Sequence, residues 1–326
     1  MSLNFILGFF VFITGLCIGS FLNVVILRAL SGESIVFPAS KCPKCQTPLK
    51  WWHNIPVISY IGLRGKCAFC HEKISIQYPI IELLTGYLFL SAFLKFGIDI
   101  KTIFAMCFLS MFIVIAMTDI KEKVCFDWHC YTLAIFGLIY NFFNFGELYS
   151  GHTFIFYTSF VASILGLLLG AGIIAIIFGL GYLFFKGMVI GVGDILIAGA
   201  LGACFGYKYI FFILLGAFIL QVAIIIPLFL HKLYKKKNFK LLISFVLFIA
   251  ISCIEALYFK YLDLGIMAIN WGFAFVQIAF GYYLVKQIIA TLPKNIDEIQ
   301  NSTEDATRVP FGPALVAAAL VFLFIH

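Results

Sequence analysis

Two aspartates, Asp119 and Asp194, each stand at the end of a long apolar run in a chain that otherwise keeps charge out of such runs. A carboxylate at a membrane boundary is costly, so its default reading is a functional group that faces protein or water. Asp119 ends its run in Met117-Thr118-Asp119-Ile120-Lys121, and Asp194 closes Gly191-Val192-Gly193-Asp194. Gly191 and Gly193 permit a tight backbone approach and an unusual φ, which would hold the Asp194 side chain close to a neighbouring helix or a peptide. Two carboxylates brought together cannot both ionise easily. They share a proton, one group acting as base toward water and the other as acid toward a carbonyl, which is the chemistry of aspartic peptide hydrolysis. The competing reading makes each a helix cap or the partner of Lys121 or Lys123. Glu82, in Tyr78-Pro79-Ile80-Ile81-Glu82, is a third candidate, whose alternative is a favourable place for negative charge near a helix N-terminus.

A second set of residues has metal-ligand spacing. Cys42-Pro43-Lys44-Cys45 is followed, after 21 residues, by Cys67-Ala68-Phe69-Cys70. Two such knuckles can present four thiolates tetrahedrally, as a closed structural zinc site requires. Four unrelated thiols or two disulfides are the alternatives, and a cytoplasmic location disfavours disulfides. Bound zinc would also fold a loop rich in Gly, Pro and Lys that has no core of its own. Most of the other cysteines sit in apolar spans as small hydrophobes. Cys125, Asp127, His129 and Cys130 make a denser cluster that lacks paired-knuckle spacing, and His53 and His71 read as surface histidines.

These groups need elements to position them. The chain is 63% hydrophobic, 18% aromatic and 11% charged, with a mean hydropathy of +1.09. That leaves too little polar surface to coat a soluble domain of 326 residues. Apolar runs of about 20 residues, rather than alternating runs of about 10, make helices the spanning element. The fold class is therefore all-α: a polytopic helical membrane protein of about eight to ten transmembrane helices, with one small polar loop domain. Spans are expected near 3–27, 79–95, 102–118, 128–146, 154–185, 195–206, 208–230, 241–259, 264–290 and 311–325. The sixth is too short for a bilayer of ~30 Å unless it is buried in protein or tilted over a cavity. The first reads as a retained helix rather than a secretory signal. The domains that follow are 1–28, a first transmembrane helix; 29–78, the zinc-binding loop; and 79–326, the membrane-embedded remainder.

Alternating these spans puts the 29–78 loop, Asp119 and Asp194 on one side, together with 18 of the 22 Lys and Arg residues. By the positive-inside rule that side is cytoplasmic. The net charge of +7 then reflects topology and anionic lipid, not nucleic acid. Trp51, Trp52 and Trp128 read as interfacial anchors, and 292–308 as a polar linker. A non-enzymatic transporter or assembly scaffold, with boundary carboxylates that relay protons, is the rival class. Midplane charges and inverted repeats would support transport, and neither is evident.

Several motifs together resemble the type IV prepilin peptidases. They are Gly19-Ser20-Phe21-Leu22-Asn23-Val24-Val25 with Arg28, the two knuckles enclosing Asn54-Ile55-Pro56 and Arg64-Gly65-Lys66-Cys67, and Ile74-Ser75 with Tyr78-Pro79 and Glu82-Leu83. Asp119 with Asp127 eight residues on, Gly191-Val192-Gly193-Asp194, and Pro310-Phe311-Gly312-Pro313 complete the set, in order from the first span to the last. Phe126 stands where the family usually has Pro, and Leu196 where it usually has Lys. Spans 241–259 and 264–290 look like a helical hairpin, 241–290, inserted before the final motif.

The resemblance implies a membrane aspartic endopeptidase of the Gly-x-Gly-Asp type. Such enzymes remove the basic leader of prepilins or pseudopilins at the cytoplasmic face of the bacterial inner membrane. Carried over by motif, Asp119 and Asp194 become the catalytic pair, Gly191, Gly193, Asp127 and Glu82 supporting residues, and Cys42, Cys45, Cys67 and Cys70 the ligands of a structural zinc. Members with this loop are similar to bifunctional enzymes that methylate the new N-terminal amine with S-adenosylmethionine, and methylation here rests on the resemblance alone.

Overall fold

The computed structural model describes residues 3–37, 39–122, 126–143, 159–185, 191–235 and 310–325, with shorter pieces between 239 and 283. Its elements are α1 (Leu3–Ser31), a 3-10 turn (Trp51–Asn54), α2 (Ile58–Gly62), α3 (Gln77–Phe96), α4 (Ile100–Glu122), α5 (Asp127–Phe143), α6 (Phe160–Phe185), α7 (Val192–Lys235) and α8 (Gly312–Ile325). Among the described residues there is no strand, only two isolated antiparallel bridges in the polar loop. This is the all-α outcome that lipid demands, since a helix satisfies its backbone internally. Five helical segments are long and apolar enough to cross a membrane: Asn4–Ser31, Gln77–Phe96, Ile100–Glu122, Phe160–Leu180 and Val192–Leu228. α5 and α8, with 17 and 14 residues, fall on the expected spans at 128–146 and 311–325, of which 144–146 lie outside the described residues.

The chain divides into two compact units, Met1–Ile219 with Pro310–His326, and Leu220–Val309. In the first, α4 is the central helix, packed against α1, α3, α5 and α8. Phe108, Leu109, Phe112, Ile113, Val114 and Ile115 are all buried, so nearly every face of its middle turns meets protein. The rings of Phe104, Phe108, Phe136 and Tyr140 join α4 to α5, with Phe104 and Tyr140 centroids 4.4 Å apart.

α1 and α3 approach through small residues. A Cβ on Gly15 would lie 2.7 Å from the Gly86 Cα, and one on Gly19 would lie 2.7 Å from the Glu82 Cα and 2.9 Å from Thr85 Oγ1. The Gly15-Leu16-Cys17-Ile18-Gly19 spacing thus lets two backbones touch, which replaces the hydrophobic drive that lipid cannot supply.

α7 holds the expected sixth and seventh spans as two helices that meet at Gly206, whose φ of 74° and ψ of 172° are non-helical. The short first half is buried, as its length requires: Ile197, Ala198, Leu201, Ala203, Cys204 and Phe205 are inaccessible. Small residues set its approach to α5 and α6, since a Cβ on Gly137 would meet Cys204 Sγ at 2.8 Å and one on Gly166 would overlap Gly202. The break interrupts the hydrogen-bond ladder, and polar side chains take up freed carbonyls. Asn141 Nδ2 donates to the Ala203 and Cys204 carbonyls at 3.1 and 3.4 Å, and the Ser163 hydroxyl donates to Ala203 O.

In the second unit, α7 continues through Pro227. The expected hairpin at 241–290 lies mostly outside the described residues. Those within it that are described are helical, and Phe248 stacks on Phe280 with centroids 6.1 Å apart.

Candidate active site and metal centre

Asp119 sits in the last turn of α4 and is buried, 6% exposed. Its Oδ2 accepts the backbone N–H of Gly312 at 2.9 Å. Gly312 is the first residue of α8, where backbone donors have no intrahelical partner, and the positive end of the helix faces the carboxylate. Only glycine fits there. A Cβ at 312 would overlap Asp119 Oδ2 and lie 3.0 Å from Ile197 Cδ1. Pro313, next in the helix, has no N–H to lose at this helix start. The Pro310-Phe311-Gly312-Pro313 motif therefore has a physical role, to end a chain segment on Asp119 and start a helix at once.

Asp194 is in the first turn of α7. Its Oδ2 accepts the Gly191 N–H at 3.2 Å, and its own N–H donates to Gly191 O at 3.1 Å. This is the reciprocal bonding of a helix start, with Gly191 as cap and Asp194 three residues on. Gly191 and Gly193 do not use the left-handed φ that glycine permits. The left-handed glycines among the described residues are Gly32, Gly65, Gly97 and Gly206. Gly191 instead serves as a helix cap, and Gly193 lies within the helix.

The two carboxylates come together through Gly312. Ile197 is one turn beyond Asp194, so both residues share a face of α7, and Ile197 packs against the Gly312 site that holds Asp119. Asp119 and the α7 face that carries Asp194 thus meet at the same glycine. Gly312 and Ile197 as site residues were missed at the sequence level. The final Pro-Phe-Gly-Pro motif was the one signal, and it carried no partner until the fold supplied Asp119.

The other candidates fall elsewhere. Glu82 is buried at 5% exposure and accepts the Val57 N–H at 2.7 Å. It ties the polar loop to α3. Asp127 is exposed in the first turn of α5, a favourable place for negative charge. Phe126 packs edge-on against His129, and Leu196 packs against the core. Cys125 of the denser cluster lies outside the described residues, and Cys130 is buried.

The four cysteine sulfurs of the loop all lie within 4.8 Å of one another, the one group among the described residues able to hold a metal. Cys42 and Cys70 sulfurs are 3.8 Å apart, which matches the edge of about 3.8 Å expected for a tetrahedron with Zn–S near 2.3 Å. The knuckles are built alike. Cys42 N–H donates to Thr47 O and Cys67 N–H to Glu72 O, while Gln46 and His71 N–H groups return to Cys42 and Cys67 carbonyls. Gln46 and His71, each just after its second cysteine, have φ of 58° and 57°. Hydrogen bonds from the Thr47 hydroxyl and backbone bring the Cys45 thiol down to about 6. The backbone N–H groups of Cys70 and Phe69 lower Cys67. The Glu72 backbone bond pulls Cys70 down, but burial and its three neighbouring thiols push it up to about 11. Such thiols lose protons in succession, and a cation at their centre is the group that would let all four ionise. His71 is exposed, whereas His53 is half-buried against Trp52 and Phe69 and is not the surface residue expected.

Comparison with known proteins agrees with this arrangement. Residues 13–96 match the bacterial peptidase A24 N-terminal domain, and residues 106–226 match the type IV leader peptidase family. Curated relatives named prepilin leader peptidase/N-methyltransferase occur in Myxococcus xanthus, 43% identical over 115 residues, 35% of this chain and 34% of that protein. Those in Neisseria gonorrhoeae and Klebsiella pneumoniae are 38% and 35% identical, over 40% and 42% of this chain and 54% and 63% of their own lengths. The matches thus span from about a third to under two thirds of these relatives. No solved structure matches. Both domains align in order, across the helices that carry Glu82, Asp119 and Asp194, and over residues 13–96 and 106–226 the chain is similar to the type IV leader peptidase family.

Proposed function

We propose that this protein is a membrane-embedded aspartic endopeptidase that removes the basic leader of type IV prepilins or pseudopilins at the cytoplasmic face of the bacterial inner membrane. The observation that carries the reading is the Asp119–Gly312 bond, with Ile197, one turn beyond Asp194, against the same glycine, which brings together the ends of α4, α7 and α8 at two carboxylates. The names of the relatives support it, and the distribution of Lys and Arg supports the orientation.

The dyad acts on a water held between its carboxyl groups. One carboxylate takes a proton from the water as the oxygen attacks the scissile carbonyl carbon, and the other, protonated, gives its proton to the carbonyl oxygen. Collapse of the tetrahedral diol breaks the C–N bond, a proton passes to the leaving amine, and water is added across the peptide with the dyad restored. The Gly312 N–H fixes one oxygen of Asp119, so its other oxygen is free for water. An apolar groove in the same unit, lined by Ile173, Ile174, Ile177, Phe211, Leu214 and Phe311 among others, adjoins Gly312 through Phe311.

The cysteine geometry fits a structural zinc held by Cys42, Cys45, Cys67 and Cys70. It supplies folding free energy to the loop and takes no part in hydrolysis. S-adenosylmethionine, when bound, would supply a methyl group to the new N-terminal amine. No step is assigned to it.

The test is cleavage of a prepilin in membranes by the wild type, Asp119→Ala and Asp194→Ala at matched expression. Loss in both variants is expected. Full cleavage by either would sink the aspartic mechanism.

A further inference from the structure

We infer that the polar loop carries an apolar foot that inserts into the lipid interface beside α1 and α3, on a leaflet rich in anionic lipid. The loop exposes large apolar side chains that its small core leaves uncovered. Val36 and Phe37 are 73% and 76% exposed, Trp51 75%, and Ile58 and Ile61 of α2 69% and 67%. Isolated exposed hydrophobes are ordinary, but these lie on two short tongues of one polar loop.

Two buried charged side chains set the depth of these tongues. Glu82 lies five residues into α3, about 7.5 Å along its axis from Gln77, and it binds the Val57 N–H. α2 begins at the next residue, so Ile58 and Ile61 are held against the first turns of a membrane-spanning helix. Arg28, in the last turn of α1, does the same for the first tongue. Gly32 turns the chain with φ of 70°, and Arg28 Nη1 donates to the Ser34 and Ile35 carbonyls at 2.8 and 3.0 Å. Residues 35–37 are thereby drawn back to the level of the helix they have just left. Apolar groups at that level meet the boundary of headgroups and acyl chains, where interfacial segments bury about 5–10 Å deep.

Charge selects the lipid. Residues 32–76 carry Lys41, Lys44, Lys50, Arg64, Lys66 and Lys73 against Glu33 and Glu72, and juxtamembrane basic residues are drawn to anionic headgroups. The same charge disfavours a substrate's basic leader as the occupant. Trp52, with Lys50 Nζ 5.0 Å from its ring, has the aromatic and basic pairing of an interfacial anchor. Such a foot would hold whichever chemistry the chain performs.

Depth-resolved quenching tests this. The chain has four tryptophans, so the full-length Trp128→Phe, Trp271→Phe protein reports on Trp51 and Trp52 alone. It would be reconstituted in phosphatidylcholine vesicles, with and without phosphatidylglycerol. Lipid brominated high on its acyl chains should quench the emission more than aqueous acrylamide does, and phosphatidylglycerol should widen that difference. Adding Ile58→Asp and Ile61→Asp should shift emission to the red and restore acrylamide access, with the helical circular dichroism unchanged. If the Phe variant does not fold, the difference spectrum between the wild type and Trp51→Phe, Trp52→Phe reads the same rings. Quenching by acrylamide alone would put the foot in water. Shielding from both quenchers would mean that protein, a second copy or a substrate, covers it. Either result overturns the inference.

Discussion

The backbone N–H of Gly312 lies 2.9 Å from Asp119 Oδ2, across 193 positions of sequence. This bond closes the candidate site, because the residue that makes it also excludes any side chain between Asp119 and Ile197. Gly312→Ala should therefore displace the carboxylate while leaving every titratable group in place. A misplacement near 1 Å costs on the order of a hundredfold in rate. Initial rates of prepilin cleavage in membranes should fall by about that factor, and an unchanged rate would remove Gly312 from the site.

Asp119→Asn and Asp194→Asn should each cut the cleavage rate to a small residual, and the double variant should be no slower than either. Groups that act as one unit are not additive. Both singles keep side-chain volume and can still accept the Gly312 and Gly191 N–H bonds, so loss reports on chemistry rather than on folding. Rates for the four proteins, measured on one substrate, give the comparison. Additive losses would point to two independent roles.

One zinc per chain should copurify, measured by elemental analysis. Cys42→Ser and Cys67→Ser remove buried ligands and should lose the metal. Because metal affinity is folding free energy for such a loop, chelation should open residues 39–76 to protease while the spanning helices stay resistant. A loop that keeps its protease resistance without metal would contradict a structural role.

Asn141→Leu should destabilise the protein by about 1–3 kcal/mol, since buried carbonyls at the α7 break lose their donor. Thermal unfolding in detergent is the measurement. Asp194 lies on the α7 half that this break orients, so cleavage should fall more than unfolding alone explains at a temperature where the variant remains folded. Ser163→Ala should act in the same direction, as its hydroxyl serves the same Ala203 carbonyl. Equal activity per folded molecule would leave Asn141 with a purely structural part.

Local rules were enough for much of this protein. Hydropathy marks spanning helices because each must satisfy its backbone within itself, and the separation of 195–206 from 208–230 foretold the break at Gly206. Cys42, Cys45, Cys67 and Cys70 were legible because ligand spacing is short-range geometry, and Asp119 and Asp194 because charge at a membrane boundary is rare. Other features depend on which backbones touch, and residue type does not encode that. Gly15 and Gly19 read as neutral apolar positions until α3 lay against them. Glu82 reads from sequence as a supporting or helix-end charge, and only the fold shows that Val57 of the loop is its partner. The left-handed φ that glycine permits is not used at Gly191 and Gly193 but at Gly206, where a buried half-helix meets the rest of α7. Sequence determined which groups could act and how far from water they lie. Only packing of α4, α7 and α8 decided that Asp119 would meet the start of α8, since that contact is a matter of space for one missing Cβ.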